Sequence, residues 1–156
     1  AREWFAQQGM DMLIGGTNSG TALARAKVAA EKKKPFLAIG PGSSALTSEQ
    51  CSPYTVHYAY DTVALAKNTG PAVVKAGGKT WFFLTADYAF GTALQNDTSE
   101  AVKAAGGTIV GSVRAPLATS DFSSYMLHAQ ARKTHILYLD NASDATIHSI
   151  KTANDF

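Results

Sequence analysis

Five apolar runs of strand length recur along the chain, and helical spacing fills the intervals between them. Because the runs are almost continuously apolar, they predict strands covered on both faces, as in a parallel sheet. One interval, residues 19–34, has a stripe with Arg25 and the lysines outside it, which is typical of an amphipathic helix. The stripe consists of Ala22, Leu23, Ala26, Ala29 and Ala30. Similar patterns cover residues 87–107 and 120–133. The apolar runs span residues 12–16, 36–40, 80–85, 108–113 and 135–139.

This alternation predicts an α/β fold with parallel sheets in three layers and right-handed connections. Two places interrupt it. The segment of residues 43–61 is too long to be a tight loop. Within residues 67–78, the pair Gly70 and Pro71 is expected to kink or restart a helix. We therefore expect one α/β piece over residues 1–58 and a second over residues 59–156, with a helix from Tyr60 leading into the second.

Small and polar residues follow the ends of four runs, in residues 14–20 (IGGTNSG), 39–44 (IGPGSS), 84–91 (LTADYAFG) and 138–144 (YLDNASD). In an open parallel sheet such ends collect at the carboxyl edge, where ligands bind. Glycine lets the backbone approach a ligand, while serine and threonine hydroxyls and the first N–H groups of the next helix act as donors. The pattern predicts a site for an anion.

Composition and charge limit the kinds of molecule that the chain is expected to bind. The 156 residues carry a formal net charge of +2, and the lysine run at residues 32–34 has no exposed aromatic residues interleaved, so nucleic acid is not an expected partner. No apolar stretch approaches the ~20 residues that span a bilayer. Cys51 is the only cysteine, which excludes an internal disulfide framework. The opening residues read as the interior of a helix, so we expect the chain to begin within a fold.

Residues that carry catalysis or hold a cofactor do not fall into recognisable motifs. "GPGSSA" is not the GxSxG elbow of a serine hydrolase, and "IGGTNSG" lacks both the GxGxxG pattern and the lysine of a P-loop. No enzyme, cofactor or metal site is therefore expected. The four histidines show no ligand spacing for zinc; they are His57, His128, His135 and His148.

The aromatic residues divide into two groups. Trp81 and its neighbours lie within a strand run and are expected in a core. Tyr88 and Phe90 follow a strand end, where their rings either lean over a ligand or pack at the start of a helix. Asp87 beside them either caps that helix or binds an ammonium or hydroxyl group.

The motifs "KTWFFLTADYAFG", "GGTNSG", "SSALT", "SPYTVHYAYDT" and "SDFSSY" occur in this order along the chain. With them the chain resembles the type I periplasmic solute-binding proteins, in the branched-chain amino-acid (Leu/Ile/Val) receptor family of ABC transporters. The resemblance implies two flavodoxin-like lobes that close on a ligand by hinge motion. The chain has about half the family's usual length, so it corresponds to two partial lobes: the later part of the first, the crossover, and the first part of the second.

The resemblance also implies site residues, one motif at a time. "GGTNSG" resembles the segment that holds a ligand carboxylate, which indicates Asn18 and Ser19. "GPGSS" is similar to the second ligand loop of the first lobe, and "DYAFG" to the segment that places an aromatic ring over the ligand. Asn141 is a weaker candidate, and Asp140 and Asp144 are the acidic groups near the place where a ligand ammonium is bound. The second ligand loop gives Gly42, Ser43 and Ser44, and the aromatic segment gives Tyr88 and Phe90, where the family often has tyrosine at the position of Phe90.

The function implied is the substrate-binding component of an ABC importer in the periplasm, with a membrane permease as its partner. Its ligand is expected to be a small carboxylate-bearing solute, such as a branched-chain or other hydrophobic amino acid. An α/β regulatory or receptor module that senses a ligand would share the same pattern and remains the alternative. Because each lobe is partial, unpaired sheet edges and uncovered apolar faces are expected to favour self-association.

Overall fold

The computed structural model describes all residues, 1–156, and they form two compact units, Ala1–Thr62 and Val63–Phe156. Each unit contains its own three-stranded sheet, and every strand pair in both sheets is parallel. The expectation of an α/β fold built on parallel sheets is confirmed.

The first unit places short strands beside one long helix. Its sheet has the order β1-β2-β3. Between β2 and β3 the chain makes a 3-10 turn, Ser44–Leu46. The other elements, in chain order, are α1 (Arg2–Gln7), β1 (Leu13–Ile14), α2 (Ser19–Lys32), β2 (Phe36–Ala38) and β3 (Thr55–His57).

One face of this sheet forms the core of the first unit. Three alanines of the α2 stripe are buried, as its spacing predicts, and they pack with Phe36 of β2 and Phe5 of α1. The opposite face is exposed: Ile14, Ile39 and Val56 each keep more than half of their surface accessible. The expectation that strands are covered on both faces is therefore wrong for the first unit, because both packed helices contribute to the same core.

The second unit has longer strands and more helices. Its sheet has the order β5-β4-β6, so β4 lies in the middle. The elements are α3 (Thr62–Lys75), β4 (Thr80–Ala86), α4 (Ala89–Ala104), β5 (Thr108–Ala115), α5 (Ser123–Ala131), β6 (Ile136–Asp140) and α6 (Asp144–Ala153).

Both faces of β4 are covered, which gives the second unit three layers. Trp81 and Phe83 pack with α3 and α4, and the Trp81 ring lies 5.5 Å from the ring of Tyr138. Leu84 faces the other way and packs with Phe122 and with α5 and α6. Alternation along a strand sends successive side chains to opposite faces, so one apolar run serves two cores.

Two elements depart from the expectations. The strand β3 was not predicted, since it is only three residues long and Val56 at its centre is exposed. The helix α3 begins at Thr62 rather than Tyr60, and it continues through Gly70 and Pro71 without a break. Gly70 is buried against Val102 of α4, so close packing holds the helix together where the local sequence favours an interruption.

Candidate functional site

The loop that follows β1 turns sharply into α2. Gly15 and Gly16 both have positive φ angles, +120° and +93°, which L side chains rarely adopt. Asn18 then occupies the N-cap position, and its Oδ1 accepts a hydrogen bond from the backbone N–H of Thr21 at 3.0 Å. In this structure Asn18 therefore fixes the start of the helix.

A hydrogen bond joins this loop to the loop that follows β2. The backbone N–H of Ser43 donates to Ser19 Oγ at 3.2 Å, and both residues are only 1% exposed. Gly40 also lies against the first loop, where an added Cβ would come within 2.9 Å of the carbonyl oxygen of Gly16. The structure thus brings together two glycine-rich strand ends at the carboxyl edge of the first sheet.

Two residues outside the predicted set hold the second loop in place. Thr62 Oγ1 accepts a hydrogen bond from the N–H of Ser44 at 3.1 Å, while the N–H of Thr62 donates to the carbonyl of Gly42 at 2.8 Å. The His57 Nε2 donates to the carbonyl of Pro41 at 2.6 Å, which assigns the ring proton to Nε2. Sequence reasoning did not assign these roles to His57 and Thr62, although both lie in the "SPYTVHYAYDT" motif.

These bonds determine which donors the second loop can offer to a ligand. The N–H groups of Ser43 and Ser44 donate to side chains of the first unit, and Ser43 Oγ accepts from the N–H of Ala45 at 3.3 Å. Ser43 is buried, whereas Ser44 is partly exposed. The arrangement makes Ser19 and Ser43 the groups that shape the loop and presents Ser44 at its surface.

The corresponding loop of the second unit lies at the start of α4. Tyr88, rather than Asp87, occupies the N-cap position, and the rings of Tyr88 and Phe90 lie 5.9 Å apart. Phe90 is 8% exposed and Tyr88 is half-buried. Asp87 does not cap the helix; its carboxylate lies 3.6 Å from the guanidinium of Arg114.

Asn141 follows β6 and bonds to α6 through both ends of its side-chain amide. Its Oδ1 accepts from the hydroxyl of Thr146 at 2.8 Å, and its Nδ2 donates to Ser149 Oγ at 3.1 Å. Asn141 therefore connects the end of the strand to the next helix. Asp144 is exposed at the first position of α6.

Asp140, the last residue of β6, is fully buried. Its Oδ2 lies 3.0 Å from the hydroxyl of Thr85, and its Oδ1 has no hydrogen-bond partner. Burial raises the pKa of Asp140 to about 8, although the bond to Thr85 and the charge of Arg114 act in the opposite direction. An acidic residue at a strand end suggests an accessible charge, so its burial is not visible in the sequence.

The structure contains no group of three or more His, Cys, Asp or Glu side chains that could hold a metal ion. No helix combines the length and the apolar character needed to cross a membrane.

A match to a known protein family covers the whole length of the chain. The model of the periplasmic binding protein family matches residues 1–156, the entire chain. The chain belongs to this family.

Solved structures extend the comparison. The chain is similar to a periplasmic binding protein from Burkholderia mallei, with 62% identity and a TM-score of 0.95 over 99% of this chain and 41% of that one. It is also similar to a branched-chain amino acid ABC transporter periplasmic ligand-binding protein from Burkholderia xenovorans LB400, with 34% identity and a TM-score of 0.78 over 99% of this chain and 41% of that one.

A more distant similarity is to an ABC transporter solute-binding protein from Rhodopseudomonas palustris BisB5, solved in complex with 3,4-dihydroxybenzoic acid. It has 26% identity and a TM-score of 0.85, over 99% of this chain and 42% of that one. The chain spans less than half the length of these proteins, and 32% of a curated relative, the Leu/Ile/Val-binding protein homolog 6 of Brucella abortus (strain 2308), with 27% identity over 126 residues and 81% of this chain covered.

Proposed function

We propose that the protein carrying this chain is the solute-binding component of an ABC importer, that it works in the periplasm, and that a membrane permease accepts its ligand. Membership of the periplasmic binding protein family supports this function. The proposed ligand is a small carboxylate-bearing solute with an apolar body. The protein captures it by non-covalent contacts alone.

The hydrogen bond between Ser43 and Ser19 carries the proposal for the ligand, because it brings two glycine-rich strand ends to one edge of the first sheet. The N-terminus of α2 lies at this edge, and a helix N-terminus favours an anion. Ser44, partly exposed on the same loop, is the proposed hydroxyl donor to the ligand carboxylate, with Asn18, Ser19, Gly42 and Ser43 shaping the surface around it.

The similar proteins support a carboxylate in particular. One is described as a branched-chain amino acid binding component, and another was solved with 3,4-dihydroxybenzoic acid. An aliphatic amino acid and an aromatic acid differ in their bodies and share the carboxylate. We propose that the donors of the first unit bind this shared carboxylate. Other contacts then select between an aliphatic and an aromatic body.

In the second unit we propose Tyr88 as the ring that contacts the apolar body of the solute. Tyr88 is half-buried, whereas the Phe90 ring, whose centroid lies 5.9 Å from that of Tyr88, is largely buried. Asn141 bonds to α6 on both sides of its amide, so its proposed part is to fix the loop after β6.

The test is calorimetry with matched ligands, using the protein together with any chain that flanks residues 1–156. Leucine and 3,4-dihydroxybenzoate are each compared with the corresponding amide, and glucose serves as the unrelated control. A hydrogen bond to a charged group contributes about 1.5 to 3 kcal/mol, so we expect at least one acid to bind roughly tenfold or more tightly than its amide. Binding of glucose alone, or equal affinity for acid and amide, contradicts the proposal.

A further inference from the structure

A polar cluster lies inside the second unit, beneath α4. Three side chains form it: Asp140 at the end of β6, Thr85 near the end of β4, and Gln95 in α4. Thr85 Oγ1 lies 3.0 Å from Asp140 Oδ2 and 2.9 Å from Gln95 Oε1. Thr85 and Asp140 are both fully buried. The cluster therefore connects the two strand ends to the second turn of the helix.

The number of protons available for hydrogen bonding in this cluster indicates whether Asp140 is ionised. The Thr85 hydroxyl has one proton, yet it faces an acceptor oxygen on each side if Asp140 is ionised. Both short contacts are satisfied when Asp140 carries a proton, because the acid then donates to Thr85 and Thr85 donates to Gln95. Asp140 Oδ1 has no partner, and a buried carboxylate with an unpartnered oxygen is strongly disfavoured.

Few charges face Asp140. From β5, Arg114 is the cation near it, and its guanidinium is also close to Asp87 and bonds to Thr92 Oγ1 at 2.8 Å. On β6 itself, Tyr138 is the titratable neighbour, and burial raises its pKa, which keeps the phenol neutral. β4 and α4 contribute the uncharged Thr85 and Gln95. The surroundings thus offer no direct ion pair to an ionised Asp140.

We propose that Asp140 is protonated in the folded protein at neutral pH and that its chain of hydrogen bonds through Thr85 to Gln95 fastens α4 to the ends of β4 and β6. Loss of this proton leaves a buried charge and a Thr85 hydroxyl whose single proton cannot be donated to both Asp140 and Gln95. The first turns of α4 then loosen and admit water to the carboxylate.

At the start of α4, Gly91 lies close against the ends of β4 and β6. An added Cβ at Gly91 would lie 2.2 Å from the carbonyl oxygen of Ala86 and 3.0 Å from that of Asp140. Because Tyr88 and Phe90 lie in this turn, loosening it also weakens solute binding at alkaline pH. That consequence rests on the proposed function, whereas the fastening of the helix does not.

The free energy of unfolding should depend on pH through the ionisation of Asp140. The folded-state pKa of Asp140, about 8, lies above the ordinary value of 3.8, so the folded protein retains a proton that the unfolded chain has lost. Its contribution is therefore fully present below pH 4, falls as the pH rises towards 8, and changes no further above 8. Asp140→Asn removes this dependence and should raise the melting temperature at pH 8 more than at pH 5.

The direct test combines carbon NMR of the Asp140 carboxyl group, assigned by its absence in Asp140→Asn, with hydrogen exchange of residues 89–98. The carboxyl should titrate near pH 8. Protection of residues 89–98, corrected for intrinsic exchange, should fall about tenfold between pH 6 and pH 9, while that of α5 stays constant. Neither readout needs a ligand, so a failed solute assay leaves this test intact.

Two variants complete the experiment. Thr85→Val removes the central hydroxyl and should reduce protection of residues 89–98 already at pH 6, and Thr85→Ser should restore it. In Asp140→Asn the protection should no longer depend on pH. An Asp140 carboxyl that titrates near pH 4, or a loss of protection at pH 9 that is equally large in Asp140→Asn, overturns the proposal.

Discussion

The two units build their strand-end loops in different ways. In the first unit the strands are two or three residues long, and hydrogen bonds with the side chains of Ser19, His57 and Thr62 fix the loop at residues 40–44. In the second unit β4 is seven residues long and covered on both faces, and close packing at Gly91 fixes the loop. Short strands carry little packing of their own, so the first loop depends on side-chain hydrogen bonds.

The largest expected effect is on the packed core of the second unit. Trp81 is fully buried, and its ring contacts those of Phe83 and Tyr138. Trp81→Ala should lower the free energy of unfolding by about 3 to 5 kcal/mol, measured by chemical denaturation. The control is Val56→Ala on the exposed face of the first sheet, which should change it by less than about 1 kcal/mol. Equal effects of the two substitutions would contradict the difference in packing between the covered strand β4 and the exposed face of the first sheet.

Gly91 tests whether packing fixes the second loop. Gly91→Ala forces a methyl group against the carbonyl of Ala86, so the start of α4 has to move. We expect a loss of about 1 to 3 kcal/mol in the free energy of unfolding. Gly70→Ala is the matched control in α3, since its methyl group meets a side chain of Val102 at 3.2 Å that is able to shift. A greater loss for Gly70→Ala would contradict this account.

Thr62 tests whether hydrogen bonds fix the first loop. Thr62→Val keeps the shape of the side chain and removes the acceptor for the N–H of Ser44, which should cost about 1 kcal/mol. Thr62→Ser retains the hydroxyl and should recover most of that loss. If valine and serine behave alike in thermal denaturation, the bond from Ser44 has no part in holding the loop.

The smallest expected effect on stability comes from the exposed face of the first sheet. Ile14, Leu37 and Val56 lie side by side across the three strands in the parallel register, and Ile39 follows on the same face. We expect this face to promote self-association of the 156-residue chain. Ile39→Lys should reduce the mass measured by light scattering while changing stability by less than about 0.5 kcal/mol. An unchanged mass would exclude this face as the cause.

The sequence was most informative where apolar runs were long. The strands β4, β5 and β6 coincide with apolar runs, and the helices between them coincide with helical patterns in the sequence. The three-residue strand β3 was missed, because its pattern is too short to distinguish from a loop. The contact between the loops of Ser19 and Ser43 agrees with the expectation that parallel strand ends meet, whereas the partners His57 and Thr62 depend on tertiary distances that no local pattern contains.

The burial of Asp140 is a second feature that no local sequence pattern predicts. A carboxyl group after an apolar run resembles an exposed or ligand-facing charge. Its burial results from the packing of α4 over the ends of β4 and β6, which depends on the close approach at Gly91.

The most direct test of the account is the effect of Ser44→Ala on both ligand affinity and melting temperature. Ser48→Ala is the matched control, since Ser48 lies in the same segment, is exposed, and donates to the carbonyl of Ser44. We predict that Ser44→Ala raises the Kd for the carboxylate ligand roughly tenfold to a hundredfold. Ser48→Ala should leave the Kd unchanged. A Ser44→Ala protein with a lower melting temperature and an unaltered Kd would contradict the claim that this strand-end loop binds the carboxylate.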